Sequence, residues 1–287
     1  MERPQLPVAS AAAMNMIAAL LEQRTGQQIA ANRAWRVETA LKPLLRERSM
    51  ERLDELISAL VVARDGTLAD LVVDALLNQE TSFFRDAAVL DQLAEVVQGM
   101  RGESPHRRLR IWSAGCSTGQ EPLSVAILLS ERDGGYPACL PEIIATDVST
   151  GALARAKAGR YSQFEIQRGL SVQRMVNWFD NVGGEWVAQQ ELVRKIQFRQ
   201  LNLATDAPPP GKFDIVLCRN VMLYFSGSLR RQVFDRLFEA LRPGGVLVMG
   251  AGETTLGQTD HFAPSERYRG FYHAIAPDRP ELRAAAG

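Results

Sequence analysis

Two glycines and a carboxylate around a single turn are the residues of this sequence best suited to chemistry. Residues 110–122 read RIWSAGCSTGQEP, which is a short apolar strand, a turn of small residues and the start of a helix. Gly115 and Gly119 have no Cβ, so a bulky ligand can approach the backbone closely. Ser117 and Thr118 are residue types that cap helices, and we expect them to cap this one. The pattern predicts a ligand site at the turn.

A second acid, at the end of the next strand, indicates the kind of ligand. Residues 143–147 (IIATD) place Asp147 about as far downstream as the ribose-binding acid of a nucleotide-binding βαβ unit. The turn lacks a full G-x-G-x-x-G, and Glu121 stands where a pyrophosphate would meet an anion. This argues for the cationic cofactor S-adenosylmethionine over NAD. Capping of the following helix, by Asp147 or Ser149, is the competing interpretation.

The segments around this turn must hold it in place. Beyond residue 108, short apolar runs alternate with segments of helical spacing, which predicts a doubly wound, Rossmann-like α/β sheet with its ligand at the carboxyl ends of the strands. The expected strands are 109–113, 142–146, 196–200, 213–218 and 246–250, and the expected helices are 121–131, 151–158 and 228–241. The alternation lapses at about 162–200, which predicts a small inserted subdomain.

The N-terminal part of the chain has apolar residues at helical spacing and no strand signal, which predicts an all-α domain. Its apolar run at 11–21 is too short to span a bilayer. The tail after Pro277 is expected to fray. The expected organisation is a helical domain at 1–77, a connector at 78–108 with one helix at 87–100, and a cofactor-binding domain at 109–287.

Composition narrows the class of protein further. Lys and Arg together number 33, as do Asp and Glu, so no overall field favours nucleic acid or a membrane surface. The three cysteines and three histidines are scattered without a CxxC, so neither a disulfide framework nor a metal site is expected. Residues 24–52 hold seven basic residues against three acids. This run is either a docking surface for an acidic partner or an ordinary solvated face.

Six strings of residues, in this order, resemble one family. They are ETSFFRD (80–86), SAGCSTGQEP (113–122), ATDVS (145–149), Asn202-Leu203, CRNVMLYF (218–225) and LRPGG (241–245). Over essentially its whole length the chain resembles the CheR family of bacterial chemotaxis receptor methyltransferases, which have a class I methyltransferase sheet. The resemblance implies transfer of a methyl group from S-adenosylmethionine to glutamate side chains of chemoreceptors, with methyl esters and S-adenosylhomocysteine as products.

The resemblance also implies roles for individual residues. Arg85 and Tyr224 are the implied catalytic residues. The implied cofactor contacts are Gln79, Thr81, Arg85, Gly115, Glu121, Asp147, Asn202, Leu203, Arg219 and Asn220. A basic second helix meets the acidic receptor in this family, which here implies substrate contacts from Arg33, Arg36 and Arg46. The implied partner is the cytoplasmic domain of chemoreceptors, without nucleic acid or membrane insertion, and we expect a cytoplasmic monomer.

The sequence departs from the family pattern at three places. Gln79 stands where relatives commonly have Asn, and it offers the same amide on a longer stem. Residues 250–253 read GAGE instead of the usual GHSE, so the His and Ser are absent. On the second helix, Ala40 and Pro43 fall on the face where relatives often carry arginine, and Pro43 is expected to kink or restart the helix.

Two other functions remain open at this point. One is a methyltransferase of the same sheet that acts on a small molecule or nucleic acid; it would lack TxFFR and need base-stacking aromatics or a basic groove. The other is a regulatory module that binds S-adenosylmethionine without turnover, which the missing His and Ser would suit. Retention of Arg85 and Tyr224 favours the enzyme.

Overall fold

The N-terminal helices pack around a core of their own. The structure, a computed structural model, describes residues 10–29, 34–62, 66–104, 106–134 and 140–275. Arg33 and the tail after Pro277 lie outside these ranges. Helices α1 to α4 are Ala11–Thr25, Ala34–Glu47, Leu53–Val62 and Gly66–Leu76. Their buried apolar side chains form one cluster, separate from the two clusters that flank the sheet.

Helix α2 is continuous through Pro43, so the expectation that this proline restarts the helix is wrong. Proline lacks the N–H that would bond the carbonyl four residues earlier, at Thr39. Thr39 is exposed, so solvent can reach its carbonyl. On either side of the proline, Leu41 and Leu44 are buried in the helical core, and their packing favours a single helix.

The remaining elements follow in alternation. The further helices α5 to α11 are Ala87–Glu103, Gln120–Arg132, Thr150–Ala158, Gln163–Gln167, Val172–Trp178, Gln190–Val193 and Gly227–Ala240. The strands β1 to β10 are Arg110–Ala114, Glu142–Asp147, Arg160–Tyr161, Phe179–Val182, Glu185–Ala188, Ile196–Gln200, Phe213–Cys218, Leu241–Met249, Phe262–Pro264 and Phe271–Ala274. No helix in the described part of the chain is both long and apolar enough to cross a bilayer.

Seven strands form the main sheet, in the order β6-β2-β1-β7-β8-β10-β9. Strands β1, β2, β6, β7 and β8 are parallel, whereas β10 and β9 add an antiparallel edge. Along β2, Ile143 and Ala145 belong to the apolar cluster that includes α5 and α6, while Ile144 belongs to the cluster that includes α11. The sheet is therefore covered on both faces, and the predicted doubly wound α/β fold is confirmed. The antiparallel edge was not predicted.

Three short strands form a separate antiparallel sheet in the order β3-β5-β4, accompanied by α8 and α9. This small sheet corresponds to the expected insertion at about 162–200, with two differences. It begins earlier, at Arg160, and β6 (Ile196–Gln200) pairs with β2 in the main sheet instead. The insertion therefore ends before residue 196.

The order of the main sheet fixes where a ligand can bind. From β1 the chain proceeds outward on one side through β2 to β6, and then returns to β7 on the other side of β1. Loops that leave the carboxyl ends of β1 and β7 consequently diverge. This divergence opens a crevice between them, as in other doubly wound sheets.

Candidate functional site

One cleft opens at the carboxyl ends of β1, β2, β6 and β7. It encloses about 920 Å³ of space open to solvent, a size typical of cofactor pockets. Thr25 and Gln27 of the helical domain form part of its wall. The cleft is also lined by every residue implied as a cofactor contact or catalytic residue: Gln79, Thr81, Arg85, Gly115, Glu121, Asp147, Asn202, Leu203, Arg219, Asn220 and Tyr224.

Backbone shape, and not side-chain capping, forms the turn after β1. Gly119, with a φ of 92°, occupies the N-cap position of α6, where it has no side chain to cap the helix. The Ser117 hydroxyl donates instead to the carbonyl of Gln79 at 3.0 Å. The Thr118 hydroxyl donates to the Gln120 side chain at 2.7 Å. The expectation that Ser117 and Thr118 cap this helix is therefore wrong, and Ser117 ties the turn to the connector.

Asp147 ends β2 with its carboxylate facing the same turn. One oxygen accepts from the backbone N–H of Ser117 at 2.8 Å, and the other from the backbone N–H of Ser149 at 2.9 Å. Ser149 is the N-cap of α7, since its hydroxyl accepts from the N–H of Ala152. Burial raises the pKa of Asp147 above its usual value, although both amide bonds act to lower it. Each oxygen keeps acceptor capacity for a ligand hydroxyl.

Glu121 lies in the first turn of α6, next to Arg219. One of its oxygens accepts from the Ser113 hydroxyl at 2.7 Å, and the other from Arg219 at 3.1 Å. Arg219 has a side chain that is only 2% exposed, and it also donates to Asp86 at 2.7 Å and to the carbonyl of Arg85 at 2.8 Å. The acid that the sequence assigned to the positively charged end of the cofactor therefore shares its charge with an arginine. The sequence did not indicate the part played by Asp86.

Asn220 follows β7 in a left-handed conformation, with a φ of 60°. Its backbone N–H donates to Glu253 at 2.6 Å, and the same carboxylate oxygen accepts from the N–H of Gly250 at 3.0 Å. A Cβ on Gly250 would lie 2.8 Å from Glu253 and 2.9 Å from the Asn220 nitrogen, so the loops are closely packed. Glu253 was not among the predicted site residues. Its retention from the GHSE pattern was the available signal.

The connector crosses the cleft between the helical domain and α5. The Gln79 amide donates to the Ser149 hydroxyl at 3.2 Å, so it bonds to the loop after β2 as well as lining the cleft. Thr81 also lines the cleft. Phe83 is fully buried, in edge-to-face contact with Tyr161 at 4.9 Å between ring centroids. It therefore anchors the connector, which places Arg85 at the cleft.

Asn202 follows β6 and joins the sheet to the helical domain. Its amide nitrogen donates to the carbonyl of Arg24 at 2.8 Å, and its amide oxygen accepts from the N–H of Ala204 at 3.0 Å. The neighbouring Leu203 is buried, with 8% of its surface exposed. Asn202 therefore shapes the cleft wall through contacts with the chain itself, while Leu203 supplies apolar surface.

Tyr224 ends a 3-10 turn, Met222–Tyr224, which follows the Asn220 loop. Its hydroxyl accepts a short hydrogen bond from the side-chain amide of Asn78. Its carbonyl accepts from the N–H of Gln28 at 2.8 Å, and Gln27 forms an isolated β-bridge with Phe225. The helical domain therefore holds the loop that carries Tyr224. The role of Asn78 was not predicted.

The three basic residues implied to contact substrate differ in their surroundings. Arg33 lies outside the described residues. Arg36 donates to the side-chain oxygen of Asn78 at 3.1 Å, so it reaches the wall of the cleft. Arg46 is exposed in the last turn of α2. The structure thus brings Arg36 to the site, while Arg46 lies on the open surface.

The cleft suits S-adenosylmethionine on two observations. The side-chain oxygen of Asn220 is buried and has no hydrogen-bond partner among the described residues. A buried acceptor of this kind calls for a ligand donor. A Cβ on Gly115, which has a φ of 80°, would approach Val221 to 2.5 Å, so the turn leaves room only for a residue without a side chain. Asp147 would hold the ribose hydroxyls and Asn220 a donor group.

Comparison with known proteins decides the family. Residues 79–271 match the family model described as CheR methyltransferase, SAM binding domain. The chain belongs to the CheR family. It is 36% identical to chemotaxis protein methyltransferase Cher2 of Pseudomonas putida, over 84% of this chain and 90% of that protein. It is 38% identical to chemotaxis protein methyltransferase 1 of Pseudomonas aeruginosa, with the same two coverages, 84% and 90%.

The match confirms the predicted family, the class I methyltransferase fold and S-adenosylmethionine as the cofactor. A solved structure with a similar fold is SAM-bound CalS10, an amino pentose methyltransferase from Micromonospora echinaspora, with a TM-score of 0.33 and 19% identity over 60% of this chain and 58% of that one. That similarity is too distant to bear on substrate. The roles of individual residues in this CheR-family protein remain predictions.

Proposed function

We propose that this protein methylates glutamate side chains of chemoreceptors to form methyl esters, and so serves adaptation in chemotaxis. One observation carries the proposal. A single cleft brings the residues suited to hold the cofactor, Asp147 and Asn220, together with two groups suited to hold a carboxylate, Arg85 and Tyr224. The two Pseudomonas relatives are both named chemotaxis protein methyltransferases.

A glutamate acceptor demands little of the protein. Its side chain has a pKa near ~4.3, so at neutral pH it is already an ionised nucleophile and needs no general base. When bound, S-adenosylmethionine supplies a methyl group on a positively charged sulfur, and its transfer to a carboxylate oxygen leaves a neutral thioether and a methyl ester. Catalysis therefore depends on positioning, because charge disappears in the transition state.

Arg85 and Tyr224 supply that positioning. A guanidinium can donate to one oxygen of the substrate carboxylate while the other stays free to attack, and the phenol can donate a second orienting bond. Arg85 has one weak intramolecular bond, to the carbonyl of Glu80 at 3.4 Å, so its guanidinium is available for a substrate. Buried apolar side chains beside the two, including Leu203 and Phe225, limit water at the reacting centre.

Receptor recognition belongs, in this proposal, to the helical domain. Helix α2 lies beside the cleft, since Arg36 reaches Asn78 in its wall. Its exposed basic residues give a positive surface in a chain of zero net charge. Such charges steer an acidic partner to the cleft and are screened by salt.

Transfer of radiolabel tests the proposal. We expect the protein, given methyl-labelled S-adenosylmethionine and membranes with chemoreceptors of its own organism, to label the receptors in a form that releases methanol in mild base. Asp147→Ala is the loss-of-binding control, and Asp180→Ala, an exposed change on β4, is its matched control. Base-stable label would contradict ester formation. Cofactor binding without any label would indicate a regulatory module instead.

A further inference from the structure

Three side chains link the surface of helix α2 to the cleft. Arg36, exposed on α2, donates to the side-chain oxygen of Asn78 at 3.1 Å. The side-chain nitrogen of Asn78 donates to the hydroxyl oxygen of Tyr224. Asn78 and Tyr224 both line the cleft, and all three residues line a second, adjoining cavity between α2 and the Tyr224 loop. The contacts therefore run in one direction, from a fixed positive charge to a phenol.

The chemistry of arginine sets that direction. A guanidinium carries donors and no acceptor, so the amide oxygen of Asn78 must face Arg36. The amide nitrogen, at the other end of the same planar group, must then face Tyr224. If the amide were reversed, two donors would meet at Arg36 and the Tyr224 hydroxyl would have to donate its proton to Asn78. Arg36 thus determines which atom of Asn78 meets the phenol.

The state of the Tyr224 hydroxyl follows from this arrangement. Because its oxygen accepts from Asn78, its proton is not used in that bond and can be donated elsewhere. Asn78 is the one side-chain partner that the described part of the chain gives this hydroxyl. The remaining direction for the proton is into the cleft, where Arg85 also lies.

We propose that Arg36 and Asn78 are positioning residues that keep the Tyr224 hydroxyl as a donor toward the carboxylate being methylated. This inference rests on the proposed function, in which Tyr224 donates to the substrate. It extends the site by two residues outside the strand-end loops. It also gives Arg36 a task in addition to receptor docking, since the same guanidinium orders a group at the reacting centre.

Asn78→Asp is the sharpest test, because it keeps the shape of the side chain and removes its donor. The new carboxylate can only accept, so it retains Arg36 as an ion pair and draws the Tyr224 proton away from the cleft. We expect kcat at saturating receptor to fall roughly tenfold or more, the effect of losing one orienting hydrogen bond. Affinity for S-adenosylhomocysteine and the melting temperature should stay close to those of the parent. A purely structural Asn78 would predict no loss of kcat, since the ion pair is kept.

Three further variants complete the design. Asn181→Asp makes the same chemical change at an exposed position on β4, and should leave kcat unchanged. Arg36→Lys retains a pure donor and should keep most of kcat. Arg36→Gln, whose amide can meet Asn78 in either orientation, should lower kcat at receptor concentrations that overcome any loss of docking.

Combination with Tyr224→Phe separates the two levels of the proposal. We expect Tyr224→Phe to lower kcat far more than cofactor affinity, and Asn78→Asp to cause no further loss in that background. Parent-like kcat in Asn78→Asp, or an equal loss with and without the Tyr224 hydroxyl, would overturn the inference alone. Full activity of Tyr224→Phe would overturn the catalytic assignment of Tyr224 and the inference with it.

Discussion

Asp147 combines two tasks that the sequence presented as alternatives. Its carboxylate accepts from the N–H groups of Ser117 and Ser149, which joins the loops after β1 and β2. It also lines the cofactor cleft. A residue that shapes the loops and faces the ligand is costly to replace, because both the loops and the ligand lose an acceptor.

Replacement of Asp147 should therefore weaken the cofactor more than it disturbs the fold. Asp147→Ala should reduce affinity for S-adenosylmethionine by roughly 1.5 to 3 kcal/mol, the scale for losing hydrogen bonds to a charged group. Titration calorimetry measures this, with circular dichroism to verify the fold and Asp180→Ala as the matched control. Unchanged affinity would reduce Asp147 to a structural residue of the loop.

The raised pKa of Asp147 gives cofactor binding a pH dependence. Burial is the main cause of the rise, so the carboxyl takes up its proton at a higher pH than the usual 3.8. The protonated group loses acceptor capacity for ribose hydroxyls. Affinity for S-adenosylhomocysteine should accordingly be level at neutral pH and fall as the pH drops through the raised pKa. Calorimetry across an acid series tests this, and Asp147→Ala should flatten the profile.

The residues named from motifs all line one cleft, yet their partners could not be predicted. Glu121 was assigned to the cofactor, but it bonds to Arg219, a contact across 98 positions of sequence. Asn78 and Tyr224 are separated by 146 positions. Sequence strings report which residue types are present at a loop. The partners of those residues depend on how the loops of different strands meet, which no local pattern encodes.

Among the elements, the turn between β1 and α6 is the most tightly constrained. Gly115 adopts a left-handed φ of 80°, and a Cβ there would lie 2.5 Å from a methyl group of Val221 in the loop after β7. The close approach of these two loops defines the floor of the crevice. Any side chain at Gly115 must strain the backbone or displace the Val221 loop.

Gly115→Ala should destabilise the protein by about 1 to 3 kcal/mol and weaken cofactor binding, because strain and overlap act together. Gly99→Ala is the matched control. Gly99 lies inside α5, and a Cβ there would meet nothing within 4 Å. That change should stabilise the protein by up to about 1 kcal/mol through helix propensity. Urea unfolding of both variants measures the contrast, and equal stabilities would contradict the strain at Gly115.

Periodicity predicted the parallel strands well because each is a short, almost wholly buried apolar run. Strand β7, for example, occupies the predicted residues 213–218 and is buried throughout. The antiparallel edge was missed because β9 has three residues and its partner β10 has four, too few for a period to register. Pro43 misled in the opposite direction. Its local effect on α2 was outweighed by the burial of the leucines around it.

Considered as a charged body, the protein is neutral overall, with its positive surface concentrated on α2. Arg36 is a poor probe of this surface because it also bonds to Asn78 at the cleft. Arg46 is the better one, since it is exposed and lies at the far end of the helix. Charge effects on docking are therefore best measured there.

Arg46→Glu should raise the receptor concentration needed for half-maximal methylation a few-fold at low salt, and less at high salt, because exposed charges are screened over about 8 Å at physiological ionic strength. Cofactor affinity and kcat should not change. Arg194→Glu makes the same charge change at an exposed position after α10 and should have no such effect. Identical salt profiles for the two variants would show that the basic run is a solvated face.

The bridge between Gln27 and Phe225 also limits how this protein could be rebuilt from its relatives. A chimera that carries the helical domain of another CheR-family member, made to redirect it to other receptors, would break that bridge and the Arg36–Asn78–Tyr224 contacts unless both sides were exchanged together. The transferable unit is therefore the helical domain with the connector and the Tyr224 loop. Exchange of receptor specificity by the helices alone would leave an enzyme with a misplaced phenol.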